Sequence, residues 1–213
     1  MSYQYSCFIS YRRHVGVTDF VRKFKEIVET EAFKVTNQKK AFFDEEEINW
    51  GAEFDVKIYQ AINSSCFFIP MFNFVYLHED NLWCAKELHW AIQLENKIRE
   101  TVENYCFILP VIDKGTPSDF PNCIGRKNAK EINQFRHLIL NKTTSKAFED
   151  FKIGIYNTLL QNYKLLNNNS FCHLLDEISP ISDEDLKLWI KDQKNKEKEN
   201  ASKHIPLLIK NSY

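Results

Sequence analysis

Short apolar runs alternate with amphipathic segments along most of this chain. Tyr3 to Tyr11 is aromatic and β-branched, ends in Arg12-Arg13, and reads as a buried strand. Phe20, Phe24, Ile27 and Val28 then recur at helical spacing behind Thr18 or Asp19, either of which can cap a helix. Lys40 to Phe43 predicts a second strand that runs into an acidic loop, Asp44 to Gly51; after it Phe54, Ile58, Ala61 and Ile62 share one helical face. Cys66 to Met71 predicts a third strand, followed by a long aromatic loop from Phe72 to Leu82 and a helix over Trp83 to Lys97. Tyr105 to Ile112 predicts a fourth strand, Lys114 to Arg126 a loop rich in Gly, Pro, Ser and Asn, Phe135 to Leu140 a short fifth strand, and Ala147 to Tyr163 a helix. Apolar strands alternating with amphipathic helices imply a mainly parallel sheet covered on both faces.

One residue breaks the pattern. At about 100° per residue, Trp83, Cys84, Leu88, Ala91, Leu94 and Ile98 fall in one arc of their helix, and Lys86, His89, Gln93, Asn96 and Lys97 lie opposite. Glu87 projects from the middle of the apolar arc, one turn after Trp83. An unpaired buried carboxylate is costly, so such a residue must be paired, protonated or lining a cleft. A strand-to-helix junction at the carboxyl edge of a parallel sheet is where ligand crevices form, which favours the cleft. The bland explanation is an ion pair with one of the arginines that holds the sheet edge together. Glu95 also falls in the apolar arc, two turns further on, and there the structural explanation is the stronger one.

Composition narrows the chemistry. The 213 residues suit one domain, or one domain plus a tail, and 44% hydrophobic residues with 17 Phe supply an ample core. A formal net charge of -1 argues against a nucleic-acid binder. No apolar run of membrane-spanning length occurs, and the start MSYQYSCFISYRR has no secretory-signal pattern, so no membrane partner and a cytoplasmic location are expected. Six cysteines without CxxC pairs suit a reduced compartment, and no His/Cys spacing suggests a metal site. After Asn167 the composition turns polar and charged, so residues 164–213 are expected to form a partly helical C-terminal extension to a domain over residues 1–163. At the end of the first strand, Arg12 or Arg13 can hold a diphosphate and Gly16 permits close backbone approach, although neither a GxGxxG nor a Walker pattern is present.

Taken in order, these pieces resemble the Toll/interleukin-receptor (TIR) domain family. The resemblance lies in Phe8-Ile9-Ser10-Tyr11-Arg12-Arg13, Phe43-Asp44 leading to Trp50-Gly51, the third strand with Asn73 and Tyr76, Trp83-Cys84-Ala85-Lys86-Glu87-Leu88, and Leu109-Pro110-Val111-Ile112. It implies an α/β, flavodoxin-like TIR fold: a five-stranded parallel sheet of order 2-1-3-4-5 with helices on both faces. Family members are either scaffolds that bind one another or enzymes that cleave NAD, and the enzymatic ones carry a glutamate at the position of Glu87. The resemblance further implies a prokaryotic stand-alone enzyme of Thoeris-like antiphage defence. Such an enzyme takes NAD as substrate with no cofactor, self-assembles with other TIR domains, and signals to a downstream effector through its nucleotide product.

On this reading Glu87 is catalytic and supports an oxocarbenium-like state as nicotinamide leaves. Substrate contacts are expected from Phe8, Tyr11, Arg12, Arg13, Gly16, Phe43, Asp44, Asn73, Trp83 and Cys84, with Trp83 walling the pocket and Asn81 an alternative to Asn73 where relatives carry serine. Hydrolysis, cyclisation and conjugation all remain open as outcomes. The alternative function is a non-catalytic TIR–TIR interaction module. A phosphoacceptor receiver domain is excluded, because it needs acids where this chain has Tyr11-Arg12-Arg13 and Pro70-Met71.

Overall fold

In the computed structural model of the chain, the described residues are 3–13, 18–37, 40–43, 54–78, 82–115, 129–168 and 181–203. Four parallel strands form one sheet in the order β1 (Phe8–Tyr11), β2 (Phe68–Phe72), β3 (Val111–Ile112) and β4 (Lys130–Glu131). The helices are α1 (Thr18–Thr36), α2 (Phe54–Asn63), α3 (Trp83–Thr101), α4 (Arg136–Asn141), α5 (Lys146–Asn168) and α6 (Asp183–Lys203).

Side chains of successive strand residues point to opposite faces, and both faces are covered. Phe8, Phe68 and Phe72 pack with residues of α2 and α3, including Ile58, Leu88 and Leu94. Cys7, Ile9, Tyr11, Phe67, Ile69 and Met71 pack with Phe20, Phe24 and Val28 of α1 and Leu159 of α5. On the first face Phe8 stands between Phe42 and Phe68, with ring centroids 5.0 and 5.5 Å away and planes within 16° of parallel. Burying each such ring contributes roughly 1.5–3 kcal/mol.

The sheet departs from the expected five strands at both edges. The run 40–43 makes one parallel bridge, Phe42 to Phe8, with three backbone bonds around it (Ser6 N–H to Lys40 O, Phe42 N–H to Cys7 O, Ile9 N–H to Phe42 O), and forms no strand. Among the described residues the sheet therefore has four strands, not five, with β1 first and the run 40–43 bridged beside it. Phe135 to Leu140, expected as a strand, is a 3-10 turn (Asn133–Phe135) running into α4. Phe135 and Ile139 are buried there at a helical interval of four, which a short apolar run does not distinguish from a strand. The edge strand is instead Lys130–Glu131, too polar and too short to leave an apolar signature.

α5 continues past Tyr163 to Asn168, and Leu166 is buried in the α3-side core. The charged stretch beyond residue 180 forms α6, whose Leu186 and Ile190 pack on Ala85 of α3. No helix among the described residues is long and apolar enough to cross a membrane.

Candidate functional site

Glu87 is 5% exposed and lies on the α3 side of the sheet, where its Oε2 accepts a hydrogen bond from the Ser10 hydroxyl at 2.5 Å. Ser10 is the third residue of β1, and the alternation that sends Ile9 and Tyr11 toward α1 sends Ser10 toward α3. Its oxygen also lies 2.5 Å from the Tyr76 hydroxyl. A serine hydroxyl carries one proton, so with that proton given to Glu87, Tyr76 donates to Ser10. Burial, followed by the nearby Cys84 and Glu87, pushes the Tyr76 phenol well above its ordinary range, and Tyr76 therefore keeps the proton it donates. The result is a relay of two hydroxyls ending on one carboxylate, with all three side chains buried.

Local sequence explains how Tyr76 reaches this place. After β2 the Asn73 side-chain oxygen accepts from Val75 N–H at 3.1 Å and its carbonyl accepts from Tyr76 N–H at 3.1 Å, which turns the chain sharply. Arg12, just past β1, donates through Nη1 to the Val75 carbonyl at 2.7 Å and ties the turn to the end of β1. Tyr76 then packs edge-on against Phe72, centroids 4.6 Å apart. Asn73 and Arg12 thus shape the wall behind Glu87.

The other expected site residues divide by face. Trp83 opens α3 and is 40% exposed, with the Lys86 ammonium 5.0 Å from its ring centroid and held in turn by Asp55 at 3.2 Å. Trp83 therefore leaves the buried arc to which its angle assigned it, and Trp90 is buried instead. Cys84 is buried on the α3 side, and Arg13 is exposed. Phe8 is 1% exposed inside the aromatic stack. Tyr11 and Phe43 stack face to face (5.1 Å, 3°) on the α1 side, across the sheet from Glu87. Gly16, Asp44 and Asn81, and with them the acidic loop from Asp44 to Gly51, lie outside the described residues.

Glu95, the other buried carboxylate of α3, is held differently. It is 4% exposed, accepts from Ile108 N–H at 2.8 Å, and pairs with Arg99 at 3.3 Å. Both of its oxygens are spent on a backbone amide and a guanidinium. Glu87 Oε2 instead meets a hydroxyl, and Arg12 is committed to the Val75 carbonyl.

Sequence reasoning did not single out Ser10 and Tyr76 as partners of Glu87. A serine in an otherwise apolar strand at an inward-facing position is the signal for the first; for Tyr76 no local signal exists. Asp113 was also missed. It follows β3, is 2% exposed, and receives Arg136 Nη1 at 2.6 Å, while Arg136 lies 4.3 Å from the Phe20 ring centroid.

Residues 4–103 match the family model described as "TIR domain". No curated protein matches the chain. Among solved structures, the chain is similar to the TIR domain of the Toll-related receptor TRR-2 from the lower metazoan Hydra magnipapillata. Identity there is 17%, with 68% of this chain and 97% of that one covered and a TM-score of 0.39. It is also similar to the TIR domains of the activated Roq1 resistosome that recognises the pathogen effector XopQ, at 18% identity, 88% and 98% coverage and a TM-score of 0.40. Over residues 4–103 the chain is therefore similar to the TIR domain family, which includes both NAD-cleaving enzymes and scaffold modules.

Proposed function

We propose that this chain cleaves the nicotinamide–ribose bond of NAD with Glu87 as its essential carboxylate. The observation that supports this reading is the burial of Glu87 where α3 meets the carboxyl ends of β1 and β2, held by the hydroxyls of Ser10 and Tyr76. In the reaction the glycosidic C–N bond breaks and its electron pair moves onto the ring nitrogen, so neutral nicotinamide departs. Glu87, as an anion, hydrogen-bonds the ribose diol and offsets the positive charge left on the sugar. Ser10 and Tyr76 position that carboxylate. Trp83 walls the pocket, Arg13 meets the diphosphate, and Arg12 braces the turn behind them.

Water attacking the sugar carbon and losing a proton gives ADP-ribose; an internal nucleophile gives a cyclic product, and an external one a conjugate. We further propose that the product is the signal of a Thoeris-like antiphage response, read by a downstream effector in the cytoplasm, and that self-assembly completes the site. NAD is then substrate, with no separate cofactor. The low exposure of Glu87 favours a second reading, in which the carboxylate is structural and the domain is a TIR–TIR interaction module.

The test is nicotinamide release from NAD by concentrated protein, followed by chromatography with mass detection, beside a Glu87→Gln variant. Release by the parent and a loss of about 100-fold or more in the variant fits the enzyme. Equal release by both removes Glu87 from the chemistry, and equal inertness at high concentration moves the scaffold reading ahead.

A further inference from the structure

On the opposite face of the sheet from Glu87, a cavity of about 430 Å³ opens between the strand segment leading into β3 and helix α5. Its walls are mainly apolar, with Phe24 of α1, Ile69 of β2 and Leu159 of α5, while Thr158, Gln161 and Asn162 of α5 add polar groups. The volume lies within the range of small-molecule sites, which are typically lined by hydrophobic side chains with a few polar groups that fix orientation.

Two cations border this space, and they differ. Arg99 is already engaged: its Nε donates to the Tyr105 carbonyl at 2.7 Å and its Nη2 pairs with Glu95 at 3.3 Å. Lys130, half-buried on β4, reaches over α5, and its ammonium lies 4.0 Å from where a Cβ on Gly154 would stand. Among the described residues no carboxylate pairs with Lys130. A mainly apolar cavity bordered by one ammonium that pairs with no described carboxylate selects its ligand by charge and by shape. A neutral hydrocarbon leaves the ammonium unmatched, and a polyanion carries more charge than one ammonium offsets against apolar walls.

We propose that this cavity binds a small monoanionic amphiphile, a carboxylate with an unbranched apolar tail. The carboxylate sits on the Lys130 ammonium and the tail lies against Ile69, Ile108 and Leu159. The site is separate from Glu87, which is not among the residues that line it.

The probe is decanoate, a tail of about ten carbons suited to a cavity of this size. It is titrated calorimetrically into the full chain below its aggregation concentration, beside decanol and decylamine. Decanoate is expected to bind at least about tenfold more tightly than decanol, and decylamine more weakly than either, since a charge-assisted contact is at stake. Lys130→Met should bring decanoate down to the decanol level while leaving decanol unchanged. Leu159→Trp, which fills the cavity, should abolish both, with a thermal melt to show that the variant is folded. Should Leu159→Trp not fold, Thr158→Trp on the same wall takes its place. No decanoate binding to the parent, equal binding of decanoate and decanol, or undiminished decanoate affinity in Lys130→Met would each overturn the proposal.

Discussion

The Ser10 hydroxyl donates to Glu87 Oε2 at 2.5 Å across a separation of 77 residues, joining the middle of β1 to the second turn of α3. This one contact turns a carboxylate on an apolar helix face into a held, oriented group. It also makes the strand that carries the arginines and the helix that carries the carboxylate a single unit.

Ser10→Ala and Tyr76→Phe should act through the same carboxylate. Each is expected to cost about 1–3 kcal/mol of stability, because a buried polar partner is left unsatisfied. In the double variant the two losses should fall short of their sum by about 0.5–3 kcal/mol, as expected for neighbours in one network. Urea denaturation of the four proteins measures the coupling. If the site is catalytic, nicotinamide release per folded molecule should fall in Ser10→Ala, whereas a purely structural contact would change the unfolding midpoint alone.

Glu95→Gln should separate stability from chemistry. It removes the charge that serves the Ile108 amide and Arg99, with an expected loss of about 1.5–3 kcal/mol. Nicotinamide release by the folded fraction should stay at the parent level, in contrast with Glu87→Gln. A parallel loss of release in both variants would show that the two carboxylates are not functionally distinct.

Burial pushes the Cys7 thiol from its ordinary 9.0 up to about 12, so the folded protein keeps Cys7 protonated where the unfolded chain ionises it. Stability from this group is fully present below pH 9 and is lost as pH rises toward 12, at about 1.4 kcal/mol per pH unit for Cys7 alone. Burial pushes Cys66 up as well. Iodoacetamide at pH 8 should therefore modify the partly exposed Cys106 in native protein and reach Cys7 and Cys66 only after denaturation, as read by peptide mass spectrometry. Rapid native labelling of Cys7 would contradict this burial.

Arg136→Met should destabilise the fold by about 3 kcal/mol or more, since it strands the Asp113 carboxylate at 2% exposure. The double variant Arg136→Met/Asp113→Leu should recover much of that loss. Thermal unfolding of the two proteins decides it, and a double variant no better than the single one would place the damage in the Arg136–Phe20 contact instead.

Helix α6 should loosen on acidification. Its Trp189 ring packs edge-on to His89, centroids 5.6 Å apart, and burial lowers the His89 pKa from its ordinary 6.5. The unfolded or undocked state then binds more protons below pH 6.5, so docking is fully present above that value and weakens as pH falls. Limited proteolysis should release α6 faster at pH 5.5 than at pH 7.5, and His89→Gln should remove the difference.

Much of the α/β layout was legible in the residue pattern, because burial on two faces leaves a periodic trace. The helices around Phe20 to Val28, Ile58 to Ile62 and Leu88 to Ile98 were readable from apolar spacing, as were the two strands through Phe8 and Phe68. The edges were not. Lys130–Glu131 carries no apolar signature, and Phe135 to Leu140 is apolar enough to suit either a strand or the short helix it becomes.

Glu87 was identifiable as an anomaly by the sequence alone, since a carboxylate in an apolar arc demands a reason whatever surrounds it. What answers that demand was decided only by tertiary structure: Ser10 arrives from another strand and Tyr76 from a turn braced by Arg12 and Asn73. The division of the aromatics was likewise a tertiary matter, with Phe8 on the Glu87 side of the sheet and Tyr11 with Phe43 across it. Local patterning records how much of a residue is buried, because the free energy of burial acts on each side chain separately. It does not record which distant partner shares that burial, because a hydrogen bond depends on geometry that only the folded chain supplies.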